Sequence, residues 1–265
     1  MEQIHQPSAA VTAGMGRLLT AASIMGVMLK GEYDNITLRF NGDGPAGSII
    51  AVADSSGNGR ISVQNPIVEL PLNDKGKLDV SGALGKTGYL YVIKDIGLKE
   101  PFIGTTEIVS GEVAEDITNY YAVSEQTPSV CSLGVLINPD LSVNCAGGFL
   151  IQLLPGCPDE IIDVIEKNIA GIPPVTTMLT DGLTPDDMAK KALSGLKIEK
   201  LDESEFTYKC ACSRQKAEAA MLSAGRAELE DMVKENKPFT VECHFCNNNY
   251  EFTTEQIKTL LKKLK

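Results

Sequence analysis

The sequence predicts an α+β protein in three parts: a large N-terminal sheet-and-helix domain over residues 1–155, a helical linker over 156–205 and a small cysteine-bearing module over 206–265. Three observations carry that prediction. Short runs rich in Ile and Val, separated by Gly, Asn, Asp and Pro, extend from Gly31 to Pro155, the pattern of strands joined by turns. Brief helical stretches broken by Pro and Gly follow. Four of the seven cysteines then fall in two tight pairs.

From Ala9 to Leu29, apolar residues recur at helical spacing in "LLTAASIMGVML", with Pro7-Ser8 ahead of the first turn. The strand candidates are "NITLRF", "GSIIAVAD", "GRISVQNP", "GYLYVIKD", "FIGTTEIV", "LGVLIN" and "GGFLIQLLP". "GEVAEDITNYYAVSEQ" interrupts them as an amphipathic helix with carboxylates in its first turn, where the helix dipole favours negative charge. In the linker, "CPDEIIDVIEKNI", "PPVTTMLTDG" and "TPDDMAKKALSG" are too short to be stable helices alone and must dock on something larger. Beyond Phe206, "CSRQKAEAAMLSAG" and "RAELEDMVKEN" read as a helical hairpin, "FTVECHFCNNNYEF" as two strands around a knuckle, and "TTEQIKTLLKKL" as a closing helix.

Composition narrows the function. With 265 residues, 43% of them apolar, the chain can fill a real core. Lys+Arg 24 against Asp+Glu 35 leaves a net charge of −11, which repels phosphate backbones and anionic lipid, so neither nucleic acid nor membrane is an expected partner. "MEQIHQPSAAVTAG" lacks the basic flank and apolar core of a signal peptide, and "LLTAASIMGVMLKG" is too short and interrupted to span a bilayer, so a cytoplasmic protein is expected. Thiols are kept reduced there, and paired cysteines point to metal or redox chemistry before structural bridges.

The pairs are Cys210-x-Cys212 and Cys243-x-x-Cys246, with thirty residues between them. Structural zinc is held tetrahedrally by four side chains that arrive as close pairs on turns, so one zinc per chain on Cys210, Cys212, Cys243 and Cys246 is expected. His244 lies between two better ligands and reads as an exposed spacer, while Cys131, Cys145 and Cys157 sit singly in apolar or Gly-rich surroundings and read as thiols without chemistry. "GALGKTG" at 82–88 imitates a phosphate loop, but Val80 holds the first glycine position and a strand, not a helix, should follow. "NGDGPAG" and "DSSGNG" read as hairpin turns. Glu112, Glu115 and Asp116 read as a solvated or capping face, and no nucleophile and base pair up, so no enzyme is expected. Two alternatives stand beside a metal-linked switch. One is a zinc ribbon with purely structural metal docking nucleic acid or a fixed protein partner, against which the acidity argues in its nucleic-acid form. The other is a metal hydrolase, which four thiolates would deny an open coordination position.

The CxC…CxxC arrangement with "ECHFCNNNYEF" resembles the redox-regulated thirty-three-kilodalton heat-shock chaperone family of bacteria. The resemblance continues through "GRLLTAASIMGVMLKG", "GDGPAGSIIAVAD", "GALGKTGYLYVIKDIGLKEPFIGTTEIVSGEVAEDITNYYAVSEQTPS" and "AGGFLIQLLPG", nearly the whole chain. It implies an ATP-independent holdase for unfolding client proteins, inactive while reduced and zinc-bound and switched on by oxidants together with unfolding conditions. It further implies that Cys210 pairs with Cys212 and Cys243 with Cys246 in redox-active disulfides, that zinc is released, that the module and linker loosen, and that homodimerisation accompanies activation. Other members carry a strand-rich segment and a helix start ahead of the position of Met1, whose lack would leave a sheet edge unpaired.

Overall fold

The computed structural model describes residues 1–264, which divide into two compact units between Tyr208 and Lys209. The first unit runs α1 (Glu2–His5), α2 (Ala9–Gly26), β1 (Asn35–Gly42), β2 (Ser48–Asp54), β3 (Gly59–Val63), α3 (Val80–Leu84), β4 (Gly88–Asp95), β5 (Phe102–Glu107), α4 (Val113–Val123), β6 (Ser129–Ile137), β7 (Val143–Gln152), α5 (Asp159–Gly171), α6 (Val175–Thr180) and α7 (Pro185–Ala192). An antiparallel sheet of order β3-β2-β1-β4-β5 and a β6-β7 pair form its β layers. Period-two alternation sets the register. Ile36, Leu38 and Phe40 of β1 are buried opposite Ala53, Ala51 and Ile49 of β2, and Leu38 and Phe40 also face Val92 and Leu90 of β4.

Helix α2 packs on β1, β2 and β3 and also on β6 and β7, so both sheets share one core. The sequence pattern runs to Leu29, but the helix stops at Gly26. A Cβ there would lie 2.5 Å from the Asp54 carbonyl oxygen, so only glycine permits this approach of helix to strand. The chain then turns, with the Leu29 amide bonded to the Gly26 carbonyl at 2.9 Å.

The Gly-rich stretches fall where the turn reading placed them, between β1 and β2 and between β2 and β3. The phosphate-loop lookalike is followed by β4, and its donors are already used: Asp43 accepts the Lys86 amide at 2.9 Å, the Thr87 amide at 3.2 Å and the Thr87 hydroxyl. The carboxylate trio divides. Glu115 is exposed and Glu112 pairs with Arg17, but Asp116 is fully buried, its Oδ1 accepting the Val109 amide at 2.7 Å and the Ser110 amide at 3.3 Å. Asp116 closes the loop ahead of α4, and burial raises its pKa above the usual carboxylate range.

Residues 156–205 fall within the first unit. Helix α6 seats on the β6-β7 pair, where added Cβ atoms at Gly134 and Gly147 would meet Val175 and Thr176 at 3.0 Å and Leu179 at 3.1 Å. Val175, Met178 and Met188 make a small satellite core there, separate from the main one. Helix α5 buries only Ile165, and an open groove of about 570 Å³ lined by Leu150, Leu153, Ile161, Ile165 and Leu193 runs between it and the end of β7.

The second unit contains α8 (Arg214–Ala224), α9 (Arg226–Glu235), β8 (Phe239–Glu242), β9 (Asn249–Phe252) and α10 (Thr254–Leu261). Gly225, at φ +96°, makes the sharp break between α8 and α9. Its core consists of Ala217, Met221, Leu229, Phe252, Ile257 and Leu260, and the Arg214 guanidinium lies 4.4 Å from the centroid of the Phe252 ring. No helix among the described residues is long and apolar enough to cross a membrane.

Candidate metal centre

Cys210 and Cys212 precede α8, whose N-cap Ser213 accepts the Lys216 amide at 3.3 Å, so both thiols lie just ahead of a helix start. Cys243 and Cys246 occupy the turn joining β8 to β9. That turn is closed by the Cys243 amide to the Asn248 carbonyl at 2.9 Å and by the Cys246 and Asn247 amides to the Cys243 carbonyl at 3.2 and 2.8 Å. Asn247 takes the left-handed conformation, φ +57°, that this reversal requires.

These elements bring the four Sγ atoms within 4.8 Å of one another. Cys210 and Cys243 are 3.7 Å apart and Cys212 and Cys246 3.4 Å apart. Four sulfurs at the usual zinc–sulfur distance of about 2.3 Å in a tetrahedron stand about 3.8 Å from each other. The donor set therefore fits a zinc ion in both chemistry and spacing. All seven cysteines are free thiols. His244 is exposed and outside the cluster, and Cys131, Cys145 and Cys157 are likewise outside it. Burial pushes the Cys131 thiol up to about 12, where it is inert at neutral pH.

One member of the site escaped the sequence reading. The Tyr250 hydroxyl donates to the Cys212 sulfur at 3.0 Å, and that hydrogen bond, together with those from the other three thiols, lowers the Cys212 thiol to about 6, the thiolate end of the cluster. Cys246 is pushed up to about 12 by loss of solvent and by its contact with the Cys212 sulfur. The signal was available in strand alternation: Tyr250 and Phe252 share a face of β9, one turned to the sulfurs and the other to the core.

A sequence model of the family described as "Hsp33 protein" matches residues 1–253. The chain belongs to the Hsp33 family. It is 45% identical over 260 residues to the 33 kDa chaperonin of Clostridium botulinum strain Alaska E43, covering 98% of this chain and 88% of that protein. It is 46% identical over 261 residues to the 33 kDa chaperonin of Lachnoclostridium phytofermentans, covering 98% and 89%. The crystal structure of a 33 kDa chaperonin, a heat shock protein 33 homolog, from Thermotoga maritima superposes with a TM-score of 0.90 at 41% identity, covering 99% of this chain and 89% of that one. The family consists of chaperones rather than enzymes, and the four-cysteine cluster of this member is placed to hold a metal ion.

Proposed function

We propose that this chain is a redox-regulated, ATP-independent holdase: inactive while Cys210, Cys212, Cys243 and Cys246 hold one zinc ion, and active once those thiols are oxidised to disulfides Cys210–Cys212 and Cys243–Cys246. The observation that carries the reading is the convergence of four sulfurs from two distant segments to within 4.8 Å in a unit whose core has six buried residues among those described. Bound zinc would keep the four sulfurs as thiolates and tie the residue 210–212 segment to the β8-β9 turn.

The thiols perform the switch. A thiolate attacks peroxide, the O–O bond breaks, and the sulfur becomes a sulfenic acid with hydroxide leaving. A second thiolate attacks that sulfur, an S–S bond forms and another hydroxide departs, so each disulfide consumes one two-electron oxidant. Disulfide sulfurs no longer serve as thiolate ligands, and a unit this small loses its principal crosslink.

The linker is suited to follow. Its helices rest on a satellite core of three buried residues, and α5 buries Ile165 alone, which marks low local stability. Undocking α6 would bare Gly134, Gly147, Phe149 and its own apolar face, giving clients a surface that is covered at rest. The net charge of −11 favours solubility of that opened state. A cytoplasmic location and homodimerisation on activation complete the reading. Light scattering of a thermally unfolding client, with reduced and with peroxide-treated protein, tests it: only the treated protein is expected to suppress aggregation.

A further inference from the structure

Strand β3 is an edge of the five-stranded sheet, and edge strands present backbone donors and acceptors that must be covered. Here they are covered by two residues from far along the chain. Tyr208 forms a parallel bridge with Gly59, whose amide donates to the Thr207 carbonyl at 3.0 Å. The Thr207 amide and hydroxyl both reach Asn58 Oδ1, at 2.9 and 3.1 Å. Asn58 is itself fixed by Asp54, through its amide at 2.9 Å and its Nδ2 at 3.3 Å.

Two residues along β3, the phenol of Tyr208 does what the peptide group of a neighbouring strand would do. It donates to the Ile61 carbonyl at 3.1 Å and accepts the Ile61 amide at 3.4 Å, with His5 Nε2 also 3.4 Å away. Its ring packs against the main core. Residues 207–208 are thus a short strap made of one backbone bridge and one aromatic plug, and they end two residues before Cys210.

We propose that the outer edge of β3 is a docking edge for extended, aromatic-bearing segments of unfolding proteins, and that the Thr207–Tyr208 strap is its built-in competitor. The strap displays the chemistry of the partner: a strand running parallel to β3, with a ring carrying a hydroxyl set beside Ile61. Its backbone bridge and its phenol meet β3 at Gly59 and Ile61, and β3 continues to Val63, so a longer segment would have further strand to pair with. Folded proteins keep both strand edges and aromatic rings engaged, so an unfolding chain is the partner that offers them together. The strap competes at the high effective concentration of a tethered ligand, and release of the residues that follow it would lower that advantage. This inference rests on the holdase reading for its physiological partner.

The test uses the full chain, reduced and zinc-loaded, and a fluorescein-labelled peptide with the sequence of residues 203–209, ESEFTYK, read by fluorescence anisotropy. Amide exchange at Gly59 and Ile61 records where the peptide sits. Tyr208→Ala is expected to bind the peptide at least about tenfold more tightly than the unsubstituted chain and to show slowed exchange at both amides. Tyr208→Phe, which keeps the ring and guards against a folding defect, is expected to gain about threefold. A peptide with alanine in place of tyrosine is expected not to bind. Three results would overturn the proposal: no gain in either variant, binding without protection of Gly59 and Ile61, or a Tyr208→Ala dimer that protects the edge and takes up no peptide. None of these arms needs oxidation. An oxidised chain that fails to suppress aggregation would therefore refute the holdase reading alone, while the peptide arms still decide the edge.

Discussion

Phe252→Ala probes whether the second unit owes its fold to the metal, because it leaves every sulfur in place. Phe252 is 1% exposed at the centre of the core formed by Met221, Leu229, Ile257 and Leu260, and the Arg214 guanidinium stacks on it. Truncating a buried Phe to Ala costs about 3–5 kcal/mol, and the lost cation–π contact adds roughly 0.5–1. A structural zinc of this kind supplies about 10–16 kcal/mol at neutral pH, so the loaded variant stays folded. If the metal-free unit is unfolded, binding and folding are one equilibrium, and the whole loss is read as weakened metal affinity. At about 1.4 kcal/mol per decade, zinc affinity should fall by roughly two to four orders of magnitude. Competition against a chromophoric chelator, on reduced protein at pH 7, measures it, with circular dichroism following the fold. Affinity unchanged within a few-fold would mean that the unit folds without metal, and oxidation would then have no means of unfolding it.

Three further outcomes are expected. Peptide mapping of peroxide-treated protein under non-reducing conditions should find Cys210–Cys212 and Cys243–Cys246, although the closest sulfurs in the folded unit are the cross pairs at 3.7 and 3.4 Å; dominant Cys210–Cys243 or Cys212–Cys246 bridges would show that oxidation finishes before the unit opens. Hydrogen exchange on oxidised protein under mild heat should show residues 156–205 losing protection before β1, β2 and β4, and uniform protection would remove the linker from the mechanism. Asp116 has a raised pKa in the folded state, so its stabilising contribution is complete below the unfolded carboxylate value and is lost as pH rises through the folded one. The melting temperature of Asp116→Asn should therefore improve relative to the unsubstituted chain from pH 4 to pH 7, and a constant difference would place no titration at this residue.

What the sequence revealed followed from periodicity and spacing. The strands β1 to β7 were legible because Ile36, Leu38 and Phe40 alternate against turn residues, and the four ligand candidates because two close pairs recur at knuckle spacing. What it hid depends on single tertiary contacts. The burial of Asp116, the pairing of Arg17 with Glu112 and the end of α2 at Gly26 are set by a loop amide, a distant helix and a facing carbonyl, none of which has a local pattern. The strap at Thr207 and Tyr208 is one isolated bridge and so leaves no alternation to detect. Tyr250 is marked only by its period-two relation to Phe252 on β9, a pattern it shares with any strand residue that packs without touching a sulfur.

The proposed switch turns on one coupled event, in which loss of the four thiolates releases the metal and thereby creates holdase activity. The most direct measurement follows both in one sample, adding peroxide to zinc-loaded protein while a chromophoric indicator records released zinc and light scattering records aggregation of an unfolding client. One zinc per chain should be released as the thiols of Cys210, Cys212, Cys243 and Cys246 disappear, with suppression of aggregation appearing only as release proceeds. Full suppression by protein that still holds its zinc, or complete release with no suppression under unfolding conditions, would contradict it.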